Sequence, residues 1–216
     1  VGDRAGIERG RSRGGMTAFV LLRHGVTDWN DGGRFQGHAD ISLNDTGRTQ
    51  AAAAAVALAD AGIRRVYCSD LSRAAETAAI VAARLGLEVR TDARLREVDV
   101  GSWAGLSMAE AGELEPDFWP ALREGRDFRR SPSGETATES GVRVAGAILD
   151  YAAPADADAE DVVLVVGHGL SLRVAAMLLL GLDYSHARRF GGLRNCHWMV
   201  LQSGEEHWRL LSYNVG

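Results

Sequence analysis

Phe19-Val-Leu-Leu-Arg23-His24-Gly25-Val-Thr27 is the stretch that decides the fold, because a short apolar run ends in a cation, an imidazole and a glycine. Four to eight apolar residues bounded by turn signals are typical of a buried parallel strand, and glycine lets the backbone turn sharply after it. We therefore predict that Arg23 and His24 lie at the carboxyl end of a strand. Ligands bind outside such ends in open α/β sheets, so the pair is a candidate site.

A second strand is predicted at Val162-Val-Leu-Val-Val166, where five continuous apolar and mostly β-branched residues indicate burial on both faces. It ends in Gly167-His168-Gly169, and the apolar residues 170–180 that follow are predicted to form a helix. His168 and the amide of Gly169 then lie at a helix N-terminus, which attracts anions.

A third strand, residues 64–68, is followed by Ser69 and Asp70, and we expect Asp70 to cap the next helix. Arg73 falls in the first turn of that helix. In a doubly wound sheet the carboxyl ends of neighbouring parallel strands meet at one edge. Guanidinium groups can hold the oxygens of an anion in bidentate fashion while an imidazole attacks as a nucleophile. The sequence therefore predicts a site for a dianion such as phosphate, built from Arg23, Arg73, His24 and His168.

The complete pattern predicts an α/β fold, a doubly wound and mostly parallel sheet flanked by helices, with a small helical cap and a C-terminal antiparallel hairpin. The hairpin is expected at residues 197–202 and 207–213, which alternate on either side of a turn. The cap is expected at residues 107–130, a weakly helical segment interrupted by Pro116 and Pro120.

The length and composition of the chain suffice for one domain. Its 216 residues are 46% hydrophobic and 25% charged, as expected for an α/β domain with a full core. We predict a single domain over residues 16–216 and interpret the Arg- and Gly-rich residues 1–15 as a flexible N-terminal tail. A short strand is expected at residues 87–90 and an acidic linker at residues 154–161.

The net charge, the apolar runs and the cysteine content of the chain indicate which partners and which compartment to expect. A net charge of -5 and a pI near 5.7 provide no basic footprint for a nucleic acid. No run of eighteen apolar residues is present, so no membrane partner is expected. Cys68 and Cys196 are too few for a disulfide framework, which favours a reducing compartment and predicts a cytoplasmic protein.

Other motifs fit the sequence less well. Gly167-His168-Gly169 could be a dinucleotide-binding turn, but Leu172 stands at the third glycine position. Ser171 lacks the Gly-x-Ser-x-Gly elbow of a serine hydrolase, and no Gly-x-x-x-x-Gly-Lys sequence indicates a nucleotide P-loop. Neither His24 nor His168 has a neighbour at metal-ligand spacing. We therefore expect no cofactor and no metal.

The chain resembles the histidine phosphatase superfamily, the phosphoglycerate-mutase-like proteins, from residue 19 to residue 214. Seven motifs occur in the family's order: Leu22-Arg23-His24-Gly25-x-Thr27-x-x-Asn30, Gln36-Gly37, Leu43-x-x-x-Gly47-x-x-Gln50-Ala51, Ser69-Asp70-Leu71-x-Arg73-Ala74-x-x-Thr77-Ala78, Leu95-x-Glu97-x-x-x-Gly101-x-Trp103-x-Gly105, Gly134-Glu135-Thr136 and His168-Gly169. The departures are small: Val26 replaces a common Glu or Gln, and Thr136 a common Ser.

The resemblance implies roles for these positions. His24 is similar to the nucleophile that becomes phosphohistidine, and Glu97 to the residue that protonates the leaving oxygen. The phosphate clamp that the resemblance implies consists of Arg23, Arg73, His168, Asn30 and the amide of Gly169. The substrate-contacting mouth that it implies consists of Gln36, Gly37 and Glu135.

The resemblance further implies a metal-independent phosphomonoesterase acting on a small phosphorylated metabolite, of the sugar phosphate or phosphoglycerate type. Residues 97–134 are compact, whereas mutases of the family carry a long insertion there, so a phosphatase is favoured over the alternative, a cofactor-dependent phosphoglycerate mutase. Gly191-Gly-Leu-Arg-Asn195-x-x-Trp198 and Trp208-Arg-Leu resemble a subgroup, the actinobacterial glucosyl-3-phosphoglycerate phosphatases. A homodimer is the expected assembly.

A second alternative is a non-catalytic sensor of a phosphorylated ligand on the same fold. Such a protein is expected to have lost His24, Arg73 or Glu97, and all three are present. The enzyme interpretation is therefore favoured.

Overall fold

The computed structural model describes residues 16–152, 161–204 and 206–216, and these residues form a six-stranded sheet flanked by helices. The predictions of a tail at residues 1–15 and of a linker at residues 154–160 lie outside the described residues. The strands are β1 Thr17–Arg23, β2 Ile63–Cys68, β3 Val89–Thr91, β4 Asp161–Gly167, β5 Trp198–Gln202 and β6 Arg209–Val215. The helices are α1 Asp28–Asp31, α2 Asp45–Ala57, α3 Ser72–Leu85, α4 Met108–Leu114, α5 Phe118–Glu124, α6 Ala137–Tyr151 and α7 Gly169–Leu179.

The strand order is β3-β2-β4-β1-β5-β6, with parallel pairing from β3 through β1 and antiparallel pairing of β5 with both β1 and β6. This arrangement confirms the predicted mostly parallel sheet with a C-terminal antiparallel hairpin. Leu22 of β1 and Cys68 of β2 are both registered with Val166 of the intervening β4. The carboxyl ends of these three strands therefore lie side by side.

Apolar burial on both faces of the sheet explains the continuous apolar character of β1 and β4. Val20 and Leu22 pack on one face with α2 and α3, and Phe19 and Leu21 pack on the other with α6 and α7. Successive strand side chains point to opposite faces, so a strand covered on both sides needs an apolar residue at every position. The sheet is thus doubly wound, as predicted.

The cap consists of two short helices, α4 and α5, over an aromatic cluster of Phe35, Trp103, Phe118 and Phe128. Proline is tolerated in the first turn of a helix because amides there have no intrahelical partner. Pro120 occupies such a place, as the third residue of α5. In the described part of the chain, no helix combines the length and the apolar character needed to cross a membrane.

Two local predictions were wrong. Asp70 does not cap α3. The backbone N–H of Ser72 donates instead to Asp40 at 2.7 Å, and Asp70 forms an ion pair with Arg96. Asp161 does not belong to a solvated linker, since it is the buried first residue of β4 and pairs with Arg65.

Helices α6 and α7 approach closely at one glycine. A Cβ on Gly141 of α6 would lie 2.4 Å from Cγ1 of Val174 and 3.3 Å from the backbone nitrogen of Ala175, both in α7. Gly146, in the same helix, has no atom within 4 Å of the place where its Cβ would be. Helix α7 begins directly after His168, so this contact positions one part of the predicted site.

We expect Gly141→Ala and Gly146→Ala to change stability in opposite directions. The first forces α6 away from α7 and should cost about 1–3 kcal/mol of unfolding free energy, as overpacking does. The second adds a helix-favouring residue in open space and should stabilise the protein by about 0.5–1 kcal/mol. Urea denaturation of both variants measures the difference. Destabilisation of equal size in both would contradict a specific packing role for Gly141.

Candidate active site

A cavity of about 200 Å³ opens at the carboxyl edge of the sheet. It contains most of the residues singled out from the sequence, which are Arg23, His24, Asn30, Gln36, Gly37, Arg73 and Glu97. They come from the end of β1, from α1 and the loop after it, from the first turn of α3 and from the loop before the cap. The structure thus brings together residues that are up to 74 positions apart (97 − 23).

His24 is buried at the end of β1 with one ring nitrogen occupied. Its Nδ1 lies 2.6 Å from the carbonyl oxygen of Gly25, and because a carbonyl only accepts, Nδ1 carries the proton. Nε2 therefore keeps its lone pair. Burial lowers the pKa of His24 well below 6.5, and the charges of Arg23 and Arg73 lower it further. The ring is a neutral imidazole with a free nucleophilic nitrogen at neutral pH.

The guanidinium groups of Arg23 and Arg73 are held by backbone carbonyl oxygens. Arg73 is fully buried and donates to Gly37 and Ala39 at 2.8 Å each, while Arg23 donates to Leu193 at 2.8 Å. Among the described residues, neither Nε has a hydrogen-bond partner and neither side chain forms an ion pair. Both groups are therefore available to an anion.

Burial lowers the pKa of both arginines, to about 10 in Arg73, although the nearby charge of Glu97 opposes this. Both side chains remain cationic at neutral pH. The cavity consequently holds two buried positive charges beside a neutral imidazole.

His168 completes the group from the end of β4. It is the residue before α7, its ring is fully buried, and its centroid lies 5.2 Å from that of His24. Neither ring nitrogen has a hydrogen-bond partner in the described part of the chain. Burial lowers the pKa of His168 well below 6.5, with Arg73, His24 and Arg23 adding to the effect. The next residue, Gly169, is packed so that a Cβ would lie 3.2 Å from Nε of Arg23.

Glu97 projects into the cavity and reaches the first turn of α7. Its Oε1 accepts hydrogen bonds from the backbone N–H groups of Ser171 at 2.8 Å and Val98 at 2.9 Å, and Oε2 accepts from Leu170 at 3.2 Å. A carboxylate at a helix N-terminus is favourable because the amide dipoles point toward it. The carboxyl group therefore has a defined position beside the two arginines.

Three predicted site residues do not line the cavity. His168 and Gly169 adjoin it through their contacts with His24 and Arg23, whereas Glu135 lies elsewhere. Its carboxylate pairs with Arg143 at 2.8 Å and accepts the backbone N–H of Asp99 at 3.0 Å. Arg143 in turn donates to the carbonyl oxygens of Arg94, Arg96 and Glu97. The pair of Glu135 and Arg143 connects the loop that carries Glu97 to α6 and so stabilises the position of that loop. It does not form the mouth of the cavity.

The other two predicted mouth residues do line the cavity. Gln36 is buried, and among the described residues its Oε1 has no hydrogen-bond partner. Gly37 has a φ of +51°, and a Cβ there would lie 2.8 Å from the backbone nitrogen of Val100. Asn30 accepts a hydrogen bond at 3.2 Å from Asn195, which also donates to the carbonyl oxygen of His24.

Sequence reasoning missed two cations of the cavity wall, Arg34 and Arg130. The signals were present: Arg34 stands two residues before Gln36, and Arg130 directly precedes the Ser131–Gly134 turn. Both reach the cavity through packing of the cap, which local patterns do not show. The described residues contain no group of three or more His, Cys, Asp or Glu side chains that could hold a metal ion.

The histidine phosphatase superfamily (branch 1) model matches residues 19–216, so the chain belongs to that superfamily, and the enzyme is a phosphatase. It is 37% identical over 196 residues to the glucosyl-3-phosphoglycerate phosphatase of Mycobacterium tuberculosis, covering 88% of this chain and 86% of that protein. It is 35% identical over 193 residues to a probable phosphoglycerate mutase, GpmB, of Yersinia pestis, covering 89% and 88%. The solved structure of the mycobacterial glucosyl-3-phosphoglycerate phosphatase with VO3 matches at 36% identity and a TM-score of 0.83, covering 92% and 99%.

We expect the two buried histidines to make stability fall with acidification. Above about pH 6.5 His24 and His168 are neutral in both the folded and the unfolded chain. Below it the unfolded chain binds protons that the folded site resists, so unfolding free energy decreases as pH drops. Urea denaturation at pH 7.5 and pH 5.5 measures how far the unfolding free energy falls with acidification. This difference should be smaller in a His24→Gln/His168→Gln double variant. An unchanged difference in that variant would contradict this assignment.

Proposed function

We propose that the protein hydrolyses phosphomonoesters of the phosphoglycerate type through a phosphohistidine at His24. One observation carries the proposal: Arg23, Arg73 and His168 have buried nitrogens without a partner among the described residues, the two arginines line the same cavity as His24, and the His168 ring lies 5.2 Å from that of His24. A buried donor without a partner is costly, and a phosphoryl group supplies acceptors to several at once.

In the proposed first step, Nε2 of His24 attacks phosphorus while the guanidinium groups of Arg23 and Arg73 hold the equatorial oxygens. The buried ring of His168 donates one further hydrogen bond. The P–O bond to the substrate breaks as the P–N bond forms, and Glu97, which enters this step protonated in the substrate complex, gives its proton to the departing oxygen. Fixed cations in a buried site stabilise the charge that develops, and we expect no metal requirement.

In the second step, a water molecule attacks the phosphorus of phosphohistidine. Glu97, now ionised, accepts a proton from that water, the P–N bond breaks, and its electron pair returns to Nε2 of His24. Inorganic phosphate then leaves, and both residues have regained their starting protonation. The cycle uses only groups that line the cavity or adjoin it.

The relatives and the size of the cavity support the substrate class. The mycobacterial relative is named for glucosyl-3-phosphoglycerate, and a cavity of about 200 Å³ accommodates a small phosphorylated metabolite. A second candidate function is phosphoryl transfer to an acceptor molecule, because one relative is named as a probable phosphoglycerate mutase. The compact segment between Glu97 and Gly134, with only two short cap helices described in it, favours hydrolysis.

Compartment and assembly are also part of the proposal. Cys68 and Cys196 are both free and buried, and burial raises the pKa of each thiol to about 12. Free, protonated thiols suit the reducing cytoplasm. A homodimer stays a prediction, which light scattering of the purified protein decides.

We expect His24 to carry an acid-labile, base-stable phosphoryl group during turnover. Rapid quenching of protein mixed with ³²P-labelled 3-phosphoglycerate in excess EDTA should trap it, and His24→Ala should abolish both the label and the release of phosphate. His207, whose side chain is 84% exposed, provides the control His207→Ala, which should label normally. Wild-type turnover by His24→Ala would overturn the mechanism. Appearance of the label on an acceptor phosphoglycerate, and not as inorganic phosphate, would establish the mutase alternative.

We expect the loss of rate caused by Glu97→Gln to depend strongly on the leaving group of the substrate. General acid catalysis contributes about 10²–10⁴-fold, and it matters only where the departing oxygen is a poor leaving group. The variant should therefore slow phosphorylation of His24 by 3-phosphoglycerate far more than by p-nitrophenyl phosphate, measured as single-turnover rates. Equal losses on both substrates would show that Glu97 positions the phosphoryl group and that the proton comes from elsewhere.

A further inference from the structure

Two groups of the proposed first step lie on different elements of the fold. Arg73, which holds the phosphoryl oxygens in that step, is in the first turn of α3, and Glu97, which protonates the departing oxygen, is in the loop before the cap. Acid catalysis requires the carboxyl group to lie within hydrogen-bond reach of the oxygen that it protonates. The position of Glu97 relative to the phosphoryl group must therefore be fixed by further residues.

His38 lies in the loop that Arg73 binds. The guanidinium of Arg73 donates to the carbonyl oxygens of the two residues on either side of His38, at 2.8 Å each. The same loop is joined to the start of α3 a second time, because Asp40 accepts the backbone N–H of Ser72 at 2.7 Å. The backbone of His38 is therefore fixed relative to Arg73.

The side chain of His38 extends from this loop to the backbone of Glu97. Its Nε2 lies 2.9 Å from the carbonyl oxygen of Glu97, and because a carbonyl only accepts, Nε2 carries a proton and is the donor. Nη2 of Arg143 donates to the same oxygen at 3.2 Å. Two donors from distant parts of the chain therefore hold the peptide group of Glu97.

The other ring nitrogen of His38 faces a second residue of the Glu97 loop. Nδ1 lies 3.7 Å from Oδ2 of Asp99, whose Oδ1 accepts the backbone N–H of Gly101 at 2.8 Å. His38 is not among the described residues that line the cavity. An effect of His38 on the reaction is therefore exerted through the loop that it binds and not by contact with the substrate.

We propose that His38 is a positioning residue, which couples the proton donor Glu97 to Arg73 through the hydrogen bond to the Glu97 carbonyl oxygen. This inference rests on the proposed function, because it assigns what holds the acid of that reaction in place. Displacement of a catalytic group by about 1 Å can cost about 10²-fold in rate. Without His38 the carboxyl group moves relative to the departing oxygen, while the groups that bind the phosphoryl oxygens keep their positions.

Two substrates with different leaving groups test the coupling. 3-Phosphoglycerate has a poor leaving group, whereas p-nitrophenyl phosphate releases a nitrophenolate that needs no proton. In single-turnover measurements, His38→Leu should slow phosphorylation of His24 by 3-phosphoglycerate roughly 10- to 100-fold, and phosphorylation by p-nitrophenyl phosphate less than about threefold. Because both substrates are assayed with one preparation, loss of correctly folded protein cancels from the ratio of the two rates.

Two further variants distinguish positioning from a merely structural role. His38→Gln places an amide donor near the position of Nε2 and should restore the ratio to within about threefold of wild type. In a Glu97→Gln background, His38→Leu should not lower the ratio further, because the acid that His38 positions is already absent.

The control is His186→Leu. His186 is 33% exposed and its Nδ1 lies 3.1 Å from Oδ1 of Asp183, so it resembles His38, which is 29% exposed, in burial and in its carboxylate neighbour. It lies between α7 and β5, outside the described lining of the cavity. Its replacement should leave the ratio of the two rates unchanged.

A ratio within about twofold of wild type in His38→Leu would overturn the proposal. So would a His38→Gln variant as impaired as His38→Leu, or an effect of His38→Leu that persists at full size in the Glu97→Gln background. His38→Phe, which keeps a planar ring and lacks the donor, carries the same test if His38→Leu does not fold. Failure of the proposed function has different signatures, namely no release of phosphate by the wild-type protein, or equal losses on both substrates for Glu97→Gln.

Discussion

The buried charge of Arg73 is the constraint on which the rest of the site depends. Its guanidinium has no exposure to solvent and is bound by the carbonyl oxygens of Gly37 and Ala39, without an ion pair to any described carboxylate. Burial of a cation is costly unless an anion compensates it. The folded protein therefore keeps a strong affinity for negative charge at the edge of its sheet. Burial lowers the pKa of His24, the charges of Arg23 and Arg73 lower it further, and the neutral ring keeps its lone pair.

Sheet topology places this charge beside His24, the proposed nucleophile. Neighbouring parallel strands end at one edge, and the alignment of Leu22, Val166 and Cys68 brings the residues that follow them within reach of one small molecule. The close contact of α6 with α7 then fixes the helix that begins after His168, and the pair of Glu135 and Arg143 fixes the loop of Glu97. The sheet register, the contact between α6 and α7 and the pair of Glu135 and Arg143 thus hold the polar groups of the site in position.

Features with a local origin could be predicted from the sequence, and features with a long-range origin could not. Strand ends at His24 and His168 follow from apolar runs that stop at glycine-flanked histidines. Asp70 was predicted to cap α3 because it stands just before that helix. The backbone N–H of Ser72 is bound instead by Asp40, which stands 30 positions before Asp70 in the chain. Arg130 entered the cavity wall through stacking on Phe128 and contact with Tyr184, partners that no periodicity relates. The family resemblance implied that Glu135 lies at the substrate-contacting mouth, but its carboxylate pairs with Arg143, which binds the loop of Glu97.

The hydrogen bond from Nδ1 of His24 to the carbonyl oxygen of Gly25 has a consequence for the lifetime of the proposed covalent intermediate. With that nitrogen protonated, phosphoryl transfer can yield only the tele isomer of phosphohistidine, and the ring that carries phosphorus is an imidazolium. When water displaces it, the ring departs as neutral imidazole and not as the far more basic imidazolide. A single backbone carbonyl therefore makes the same side chain both a competent nucleophile and a good leaving group.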